Sequence, residues 1–330
     1  LTIALHYCFD FKKDKIVWDV GHQAYVHKIL TGRKSRFPTL RQYKGLSGFP
    51  DKNESEYDPF TCGHSGDAIS AALGMSWAGA ILGEKRSVVA VVGDGAIGAG
   101  MSLEALNHAG DLKKKLLVVL NDNDMSISNT VGAFSKYLNK IRTAPIYADM
   151  KKEVHNLLKV VPVLGKSVEK TMEHIVELIQ GGTVPGQIFK DLGLNYFGPI
   201  DGHDFRILTE TVNDIKHLNG PVLLHVITEK GRGFEPAHQN PIQYHSAGKF
   251  ELCEGKIKES ANDSRKVSYT KVFGNTLVEL AKTDPKVVGI TAAMPDGTGI
   301  VSFGNKFPDR FYDVGICEQH AVGLANGLSA

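Results

Sequence analysis

Two uninterrupted runs of aliphatic residues constrain the fold of this chain more than any other feature. Residues 87–92 read SVVAVV and residues 116–120 read LLVVL. Continuous runs of this kind are typical of parallel strands that are buried on both faces. Residues 101–109 between them have helical composition, and Gly110 is suited to end that helix. Strand, helix and strand in this order predict a right-handed crossover unit of a parallel sheet.

Further segments of the chain follow the same alternation. Residues 222–227 form a third aliphatic run, and apolar residues recur at helical spacing over 204–218, where Asp204 is suited to cap the helix. In the motif GPIDGHD at 198–204, the pair His203 and Asp204 reads as a structural turn, and a shorter strand is predicted at 16–20. The sequence therefore predicts an α/β fold with a parallel sheet flanked by helices.

Changes in composition divide the chain into domains. Residues 1–248 are predicted to form a first α/β domain, which a lysine-rich helical insertion interrupts at about 135–190. Residues 249–266 are polar and charged without a clear period, which is typical of a linker. An amphipathic helix and a short strand follow, so residues 267–330 read as the start of a second, similar α/β domain.

Composition excludes several classes of function. The 38 basic and 36 acidic side chains leave a net charge of +2, which gives no broad basic surface for nucleic acid. No apolar stretch reaches the roughly 20 residues that cross a bilayer, so we expect no membrane association. The four cysteines are widely spaced, which favours reduced thiols in the cytoplasm over a zinc site or a disulfide framework. Because the sequence begins with Leu1 and stops at Ala330 within a helix-like run, we expect a piece of a longer protein, and a plastid location stays open.

The loop after the first aliphatic run carries the clearest chemical signal. Residues 93–98, GDGAIG, match the G-x-G-x-x-G pattern of dinucleotide-binding loops. However, the carboxylate of Asp94 would repel a pyrophosphate unless a divalent cation lay between them, and Mg²⁺ accepts carboxylate, amide and phosphate oxygens. The next strand ends in residues 121–125, NDNDM, where Asn123 offers an amide oxygen. Because the carboxyl ends of parallel strands meet at one edge of a sheet, Asp94 and Asn123 are predicted to share one Mg²⁺ beside a diphosphate.

These residues belong to a longer series of motifs. A GDG triplet followed after 27 residues by an asparagine resembles the signature of transketolase-like thiamine diphosphate enzymes. Over the whole chain, the order of the motifs resembles the 1-deoxy-D-xylulose-5-phosphate synthase family. The segments that carry this resemblance are 19–33 (DVGHQAYVHKILTGR), 45–50 (GLSGFP), 54–58 (ESEYD), 63–65 (GHS), 107–110 (NHAG), 121–128 (NDNDMSIS), 198–204 (GPIDGHD), 231–233 (GRG) and 313–322 (DVGICEQHAV).

The resemblance implies a fold, two cofactors and a reaction. In the expected thiamine diphosphate-binding α/β fold, residues 1–248 bind the diphosphate and residues 267–330 begin the domain that binds the pyrimidine. The expected cofactors are thiamine diphosphate and Mg²⁺. The expected reaction decarboxylates pyruvate and condenses it with D-glyceraldehyde 3-phosphate to give 1-deoxy-D-xylulose 5-phosphate and CO₂, which serves isoprenoid, thiamine and pyridoxal phosphate synthesis. The family also implies a homodimer and further segments on both sides of this chain, so we expect residues 1–330 alone to have little activity and poor solubility.

The resemblance also assigns roles to individual residues. As metal ligands it implies Asp94, Asn123 and the backbone carbonyl of Met125. The residues implied to contact the cofactor are His22, Gly63, His64, Ser65, Gly95, Ala96, Asn123, Phe234 and Glu318. Glu318 and His245 are the implied catalytic residues: Glu318 hydrogen-bonds N1′ of the aminopyrimidine, and His245 assists proton transfer.

One segment departs from the family pattern. The family more often continues the GHS triplet with Ser-Thr-Ser, whereas this chain has Gly66, Asp67 and Ala68. A helix is predicted at 68–82, and Asp67 is suited to cap it. The change replaces the hydroxyl groups that the family would place at the start of this helix.

Three other functions stay open at this point. Another transketolase-type ketol transferase would use the same cofactor with different substrates. A nicotinamide-dependent dehydrogenase would use residues 93–98 as a dinucleotide loop and would bind NAD without Mg²⁺. A non-catalytic relative would bind the cofactor or a partner chain without turnover.

Overall fold

The computed structural model describes residues 1–123, 131–143, 185–245, 250–253, 256–259 and 267–330. Its helices are α1 (Thr2–Cys8), α2 (Tyr25–Lys28), α3 (Ala68–Ile81), α4 (Asp94–Ile97), α5 (Gly100–Leu112), α6 (Ala133–Thr143), α7 (Gln187–Asp191), α8 (Phe205–Ile215), α9 (Glu235–Gln239), α10 (Pro241–His245), α11 (Tyr269–Thr283), α12 (Pro295–Thr298), α13 (Val301–Lys306) and α14 (Glu318–Ser329). Its strands are β1 (Lys15–Trp18), β2 (Val88–Gly93), β3 (Leu116–Asp122), β4 (Asn195–Asp201), β5 (Pro221–Ile227), β6 (Phe250–Cys253), β7 (Lys256–Glu259), β8 (Gly289–Thr291) and β9 (Phe311–Asp313). Irregular helical turns occur at Ile29–Arg33, Lys34–Thr39 and Pro308–Arg310.

A five-stranded parallel sheet organises the larger part of the described chain. Its strand order is β1-β2-β3-β5-β4, and every neighbouring pair runs parallel. The strands predicted at 87–92, 116–120 and 222–227 are β2, β3 and β5, so the prediction of a parallel α/β sheet is confirmed. The predicted strand at 16–20 ends earlier, at Trp18, because Val20 has a φ of 59° and turns the chain away from the sheet.

Both faces of this sheet are buried, which explains why its central strands read as continuous aliphatic runs. On one face, Trp18, Val91 and Val119 belong to a core that also contains Leu5 of α1 and Leu208 of α8. The alternate side chains of β2 and β3 are equally inaccessible to solvent, and α3 packs against β1 and β2. The helix predicted at 204–218 is α8, whose cap is confirmed: the Ile207 N–H donates to the Asp204 carboxylate at 3.0 Å.

One local prediction is wrong. Gly110 does not end α5, which continues to Leu112. A Cβ at this glycine would lie 1.7 Å from the carbonyl oxygen of Leu192, so the residue permits close packing of α5 against a distant backbone segment. The turn predicted at His203 and Asp204 is confirmed, because β4 ends at Asp201 and the N–H of Asp204 donates to the carbonyl oxygen of Asp201 at 3.3 Å. Pro199 is tolerated within β4 since it is an edge strand, and its register with β5 breaks at this point.

The described chain separates into two compact units. The first comprises Leu1–Ile97, Met101–Asp122 and Tyr137–Thr228, and the second comprises Gly98–Gly100, Asn123–Lys136 and Glu229–Ala330. The second unit has a small core of its own around Val278 and Phe303, and its strands β8 and β9 pair in parallel.

Other predicted features fall partly outside the described residues. The helical insertion expected at about 135–190 is described only at its ends, in α6 and α7. A linker is expected at 249–266. In the structure, β6 and β7 within this segment pair as an antiparallel hairpin. The alternation of apolar and charged residues in these strands is too short to have predicted the hairpin from the sequence. No helix in the part of the chain that the structure describes is long and apolar enough to span a membrane.

Candidate functional site

The ends of β2 and β3 lie side by side at the carboxyl edge of the sheet. Gly93 of β2 pairs with Asn121 of β3, so the chain leaves both strands at the same level. Asp94 follows β2 directly as the first residue of α4 and is buried, with 6% of its surface exposed. Asn123 follows β3 as the next residue in the chain, whereas Met125 lies outside the described residues. Ligands of open parallel sheets bind at this edge.

The chemistry of these donors suits Mg²⁺. The predicted set combines one carboxylate, one amide and one backbone carbonyl, which are the hard oxygen ligands that Mg²⁺ prefers, and phosphate oxygens would complete the coordination. Among the residues that the structure describes, no group of three or more His, Cys, Asp or Glu side chains is placed to hold a metal.

A tight turn after β1 presents His22. Val20 and Gly21 both have positive φ, at 59° and 87°, and a Cβ on Gly21 would lie 2.2 Å from Cδ of Pro50. Only glycine fits a position with this backbone conformation and this crowding. His22 is half-buried at the start of the loop that leads to α2. The histidine predicted to contact the cofactor thus lies in a loop of defined backbone geometry.

The GHS triplet precedes α3 and is held by a residue that sequence reasoning missed. The carboxylate of Asp19 accepts hydrogen bonds from the backbone N–H of Gly66, at 2.9 Å, and of Ala68, at 3.3 Å. Asp19 is 2% exposed. Its burial raises the pKa of this carboxyl to about 6, although the two backbone N–H groups act in the opposite direction. Asp19 therefore caps α3 from a distance of about 50 positions along the chain.

The prediction that Asp67 caps α3 is wrong. Asp67 is at the N-cap position, but its side chain accepts no hydrogen bond from the first turn. The Asp19 carboxylate already accepts from the N–H of Ala68. Of the triplet itself, Gly63 and His64 are exposed and Ser65 is half-buried, and the His64 ring interacts with the carbonyl oxygen of Ser65.

A buried polar chain lies behind the end of β3. The Nε2 atom of His225 is 3.0 Å from the carboxylate of Asp122, and its Nδ1 atom is 2.8 Å from the hydroxyl of Tyr196. Arg142 of α6 donates to the other oxygen of Asp122 at 2.8 Å. A carboxylate accepts only, so His225 Nε2–H donates to Asp122 and the Tyr196 hydroxyl donates to Nδ1. Burial raises the pKa of Tyr196 well above its usual range, which keeps this hydroxyl protonated.

A second polar cluster fixes the segment between α2 and α3. The ammonium of Lys28 lies 2.5 Å from Glu54, and the guanidinium of Arg33 lies 2.5 Å from Asp58. His27 is 3.0 Å from the same Asp58. Burial alone would raise the pKa of Asp58, but hydrogen bonds from His27 and Arg33 hold it well below its usual range. These contacts tie the motifs at 19–33 and 54–58 to each other, which gives them a structural role.

In the second unit, a glycine-rich turn leads into α9 and α10. Phe234 is 42% exposed and its ring makes an edge-to-face contact with Tyr244, with 5.7 Å between centroids. The ammonium of Lys230 lies 3.0 Å from Nδ1 of His245. Burial, together with this ammonium, lowers the pKa of His245. A neutral imidazole at this position is suited to accept a proton.

Glu318 is the first residue of α14 and is half-buried. The loop before it is held by Asp313, whose carboxylate accepts from the N–H of Ala293 at 2.8 Å and of Gly315 at 3.0 Å. Cys317 at the N-cap position points its thiol to the carbonyl oxygen of Gly98. Gly315 has a φ of 71°, so the turn that presents Glu318 needs glycine.

The parallel sheet and its flanking helices form a transketolase-like α/β fold. The transketolase from Campylobacter jejuni subsp. jejuni NCTC 11168 superimposes with a TM-score of 0.51 at 18% identity, covering 71% of this chain and 33% of that chain. Residues 265–330 match the model of the transketolase pyrimidine-binding domain. The similarity to the solved transketolase structure, at 18% identity, concerns the fold alone.

Within this class, the chain belongs to the 1-deoxy-D-xylulose-5-phosphate synthase family, whose model matches residues 1–228. A protein of that name from Alkaliphilus oremlandii is 53% identical over 330 residues, which is 100% of this chain and 52% of that protein. Another from Carboxydothermus hydrogenoformans is 54% identical over 329 residues, with 100% and 52% covered. The resemblance stated from the sequence is thus confirmed, and the chain spans about half the length of the curated relatives it matches.

Proposed function

We propose that the complete protein is a thiamine diphosphate- and Mg²⁺-dependent synthase. It would decarboxylate pyruvate and join the remaining two-carbon unit to D-glyceraldehyde 3-phosphate, giving 1-deoxy-D-xylulose 5-phosphate and CO₂. The observation that carries this proposal is the family match over residues 1–228, which includes the segments that follow β1, β2, β3 and β4 at the carboxyl edge of the parallel sheet. In this proposal, residues 1–248 would hold the diphosphate of the cofactor, and residues 267–330 would begin the domain that binds its pyrimidine.

The polar strand ends would bind the charged part of the cofactor. Asp94, Asn123 and the backbone carbonyl of Met125 would coordinate Mg²⁺, which in turn would neutralise the diphosphate. The residues that would face the diphosphate or the ring next to it are His22, Gly63, His64, Ser65, Gly95, Ala96 and Phe234. The position of Asp94 supports this assignment, because it directly follows β2 at the carboxyl edge of the sheet, where ligands of open parallel sheets bind.

Two residues would handle protons. Thiamine diphosphate, when bound, supplies the nucleophilic carbon and the electron sink that decarboxylation of a 2-keto acid requires. Glu318 would hold a proton at N1′ of the aminopyrimidine. His245 would accept or return a proton near the substrate, and the neighbouring Lys230, 3.0 Å away, favours its neutral form.

The proposal extends to assembly and location. We infer a homodimer in the cytoplasm, with pyruvate and D-glyceraldehyde 3-phosphate as the small-molecule partners. The names of the curated relatives support 1-deoxy-D-xylulose 5-phosphate as the product, and the balanced net charge of +2 supports a protein without a nucleic-acid partner.

The test compares Glu318→Ala with Glu279→Gln in the full-length protein. Glu279 is an exposed carboxylate on α11 that pairs with Lys282, so its variant controls for loss of one negative charge. With pyruvate, thiamine diphosphate and Mg²⁺, we expect Glu318→Ala to lower CO₂ release by about 10²-fold or more, the range of lost acid–base catalysis. Near-normal release by Glu318→Ala would contradict the proposal. Preference for a ketose phosphate over pyruvate would instead support a transketolase-type transfer, and NAD binding without Mg²⁺ would support a dehydrogenase.

A further inference from the structure

The side-chain amide of Asn121 joins two loops at the carboxyl edge of the sheet. Its Nδ2 donates to Oε1 of Gln23 at 2.6 Å, and its Oδ1 accepts from the hydroxyl of Thr228 at 2.6 Å. Asn121 lies in β3 and is 6% exposed. Gln23 follows β1 and Thr228 follows β5, so the three residues come from three distant parts of the chain. We call this hydrogen-bonded group the Asn121 bridge.

The bridge crosses the sheet where the predicted ligand loops begin. Strand order places β2 between β1 and β3, so the contact from Asn121 to Gln23 passes over the end of β2 at Gly93. A Cβ on Gly93 would come 3.9 Å from Nε2 of Gln23. On the other side, the N–H of Thr228 also donates to the carbonyl oxygen of Asp122 at 2.8 Å. The bridge therefore ties the ends of β1, β3 and β5 together around the start of α4.

Each hydrogen bond of the bridge has one assigned direction. The hydroxyl of Thr228 is the donor to Oδ1, which orients the amide of Asn121 so that its NH₂ group faces Gln23. Removal of the hydroxyl would leave a buried acceptor without its donor and would release that orientation. Because buried polar groups are rigid only when fully satisfied, the effect should reach both loops.

We propose that Gln23, Asn121 and Thr228 are positioning residues for cofactor and Mg²⁺ binding. Gln23 is adjacent to His22, and Asn121 stands two positions before Asn123, so the bridge would fix both in space. The inference rests on the proposed function for the identity of the ligand, but it concerns residues to which that function assigns no direct contact. Outer hydrogen-bond partners of ligand residues commonly change metal affinity by about 10- to 100-fold.

The experiment uses full-length protein and two substitutions at one position. Thr228→Val keeps the shape of the side chain and removes the donor, whereas Thr228→Ser retains the hydroxyl. Binding of thiamine diphosphate at fixed Mg²⁺ is measured by calorimetry, and Mn²⁺ in place of Mg²⁺ is followed by electron paramagnetic resonance. We expect Thr228→Val to weaken both affinities about 10-fold or more, and Thr228→Ser to restore affinity to within about 2-fold of the parent.

A matched control and a double substitution separate positioning from stability. Ser76→Ala removes a hydroxyl that donates to the carbonyl oxygen of Lys115 at 2.7 Å, at the opposite edge of the sheet. This control removes a hydroxyl hydrogen bond far from the bridge, so it should leave cofactor affinity unchanged, and the melting temperature of each variant reports its effect on stability separately. Gln23→Leu should weaken cofactor binding on its own. Its combination with Thr228→Val should cost less than the sum of the two, because both act through the amide of Asn121.

The possible outcomes are distinct. If the parent protein binds thiamine diphosphate and Thr228→Val binds it equally well, the bridge has only a structural role and this inference is overturned. If Thr228→Ser is as weak as Thr228→Val, the hydroxyl is not responsible and the inference also falls. If the parent protein binds no thiamine diphosphate, the proposed function is refuted, and this inference, which rests on it, is refuted as well.

Discussion

The buried carboxyl of Asp19 gives a sharp test of how the loop before α3 is held. Two substitutions separate its charge from its hydrogen bonds. Asp19→Asn keeps one acceptor oxygen, which at the position of Oδ2 can accept from both Gly66 and Ala68. Asp19→Ala removes both acceptors and leaves two buried N–H groups without partners. Comparing the two variants therefore separates the free-energy cost of the buried charge from the stability that the hydrogen bonds to Gly66 and Ala68 contribute.

The size of the expected stability difference follows from the shifted pKa of the Asp19 carboxyl. Its rise from 3.8 to about 6 means that the folded state holds the ionised carboxyl at a cost of roughly 3 kcal/mol, at about 1.4 kcal/mol per unit. Asp19→Asn avoids this cost and should be at least as stable as the parent at about pH 7. In Asp19→Ala, the two unsatisfied donors cost about 1–3 kcal/mol each, which offsets or exceeds the relief of the charge. Asn should therefore be more stable than Ala.

The sign of the pH dependence is fixed by the same shift. A raised carboxyl pKa means that the folded state binds the proton more tightly, so this contribution to stability is present below the unfolded value of 3.8 and is lost as the pH rises through about 6. Relative to Asp19→Asn, the parent should lose about 2–3 kcal/mol of unfolding free energy between about pH 4 and pH 7. The exposed Asp111→Asn variant subtracts the general effect of one surface charge.

Urea unfolding, followed by tryptophan fluorescence, measures the difference. Trp18 is 2% exposed and adjacent to Asp19, so its emission reports on unfolding of this part of the sheet. Hydrogen exchange at the amides of Gly66 and Ala68 gives a local readout, and both should exchange faster in Asp19→Ala than in Asp19→Asn. A parent–Asn difference that is the same at both pH values would refute the assigned burial cost. Equal exchange in the two variants would refute the cap.

Two further predictions concern stability and are checked by chemical and thermal unfolding. Asp58→Asn should cost about 3–5 kcal/mol, because it leaves the guanidinium of Arg33 buried with reduced compensation. Since the pKa of Asp58 lies well below its usual range, the stability that its carboxylate contributes should be present at neutral pH and lost on acidification below about pH 4. A parent protein that keeps this stability advantage over Asp58→Asn in acid would contradict the assignment. Gly110→Ala should destabilise by about 1–3 kcal/mol because its Cβ would meet the backbone of Leu192, whereas Gly74→Ala in open space on α3 should stabilise by up to about 1 kcal/mol. Equal shifts in the two glycine variants would show that packing at Gly110 is not the cause.

The sequence predicted those features that depend on local pattern. The aliphatic runs of β2, β3 and β5 identified the sheet because strands buried on both faces carry apolar side chains at every position. Asp94 and Asn123 could be named because polar residues directly after such strands must lie at the carboxyl edge. The position of each of these two ligand candidates therefore follows from the local pattern of the chain alone.

The features that the sequence did not disclose are contacts between distant segments. Nothing near Asp19 indicates that it caps a helix beginning at Ala68, and Asp67 occupied the expected position. Gly110 resembles a helix end in isolation, and only the approach of Leu192 shows that it serves packing. The hydrogen bonds of Asn121 could have been suspected from a polar residue at the end of a buried strand, but its partners depend on the strand order.

The edges of the parallel sheet bear on how readily a strand of another chain could add to this fold. Within the described residues, β1 and β4 each pair with one strand only, so each leaves main-chain groups to which a strand of another chain could add. On β4, Pro199 lacks an N–H and the register breaks between Phe197 and Ile200, which interrupts the ladder a foreign strand would need. On β1, four residues and the turn at Val20 leave little length for pairing. During folding, when apolar β2 and β3 are still exposed, these two short or interrupted edges would limit growth of the sheet into intermolecular assemblies.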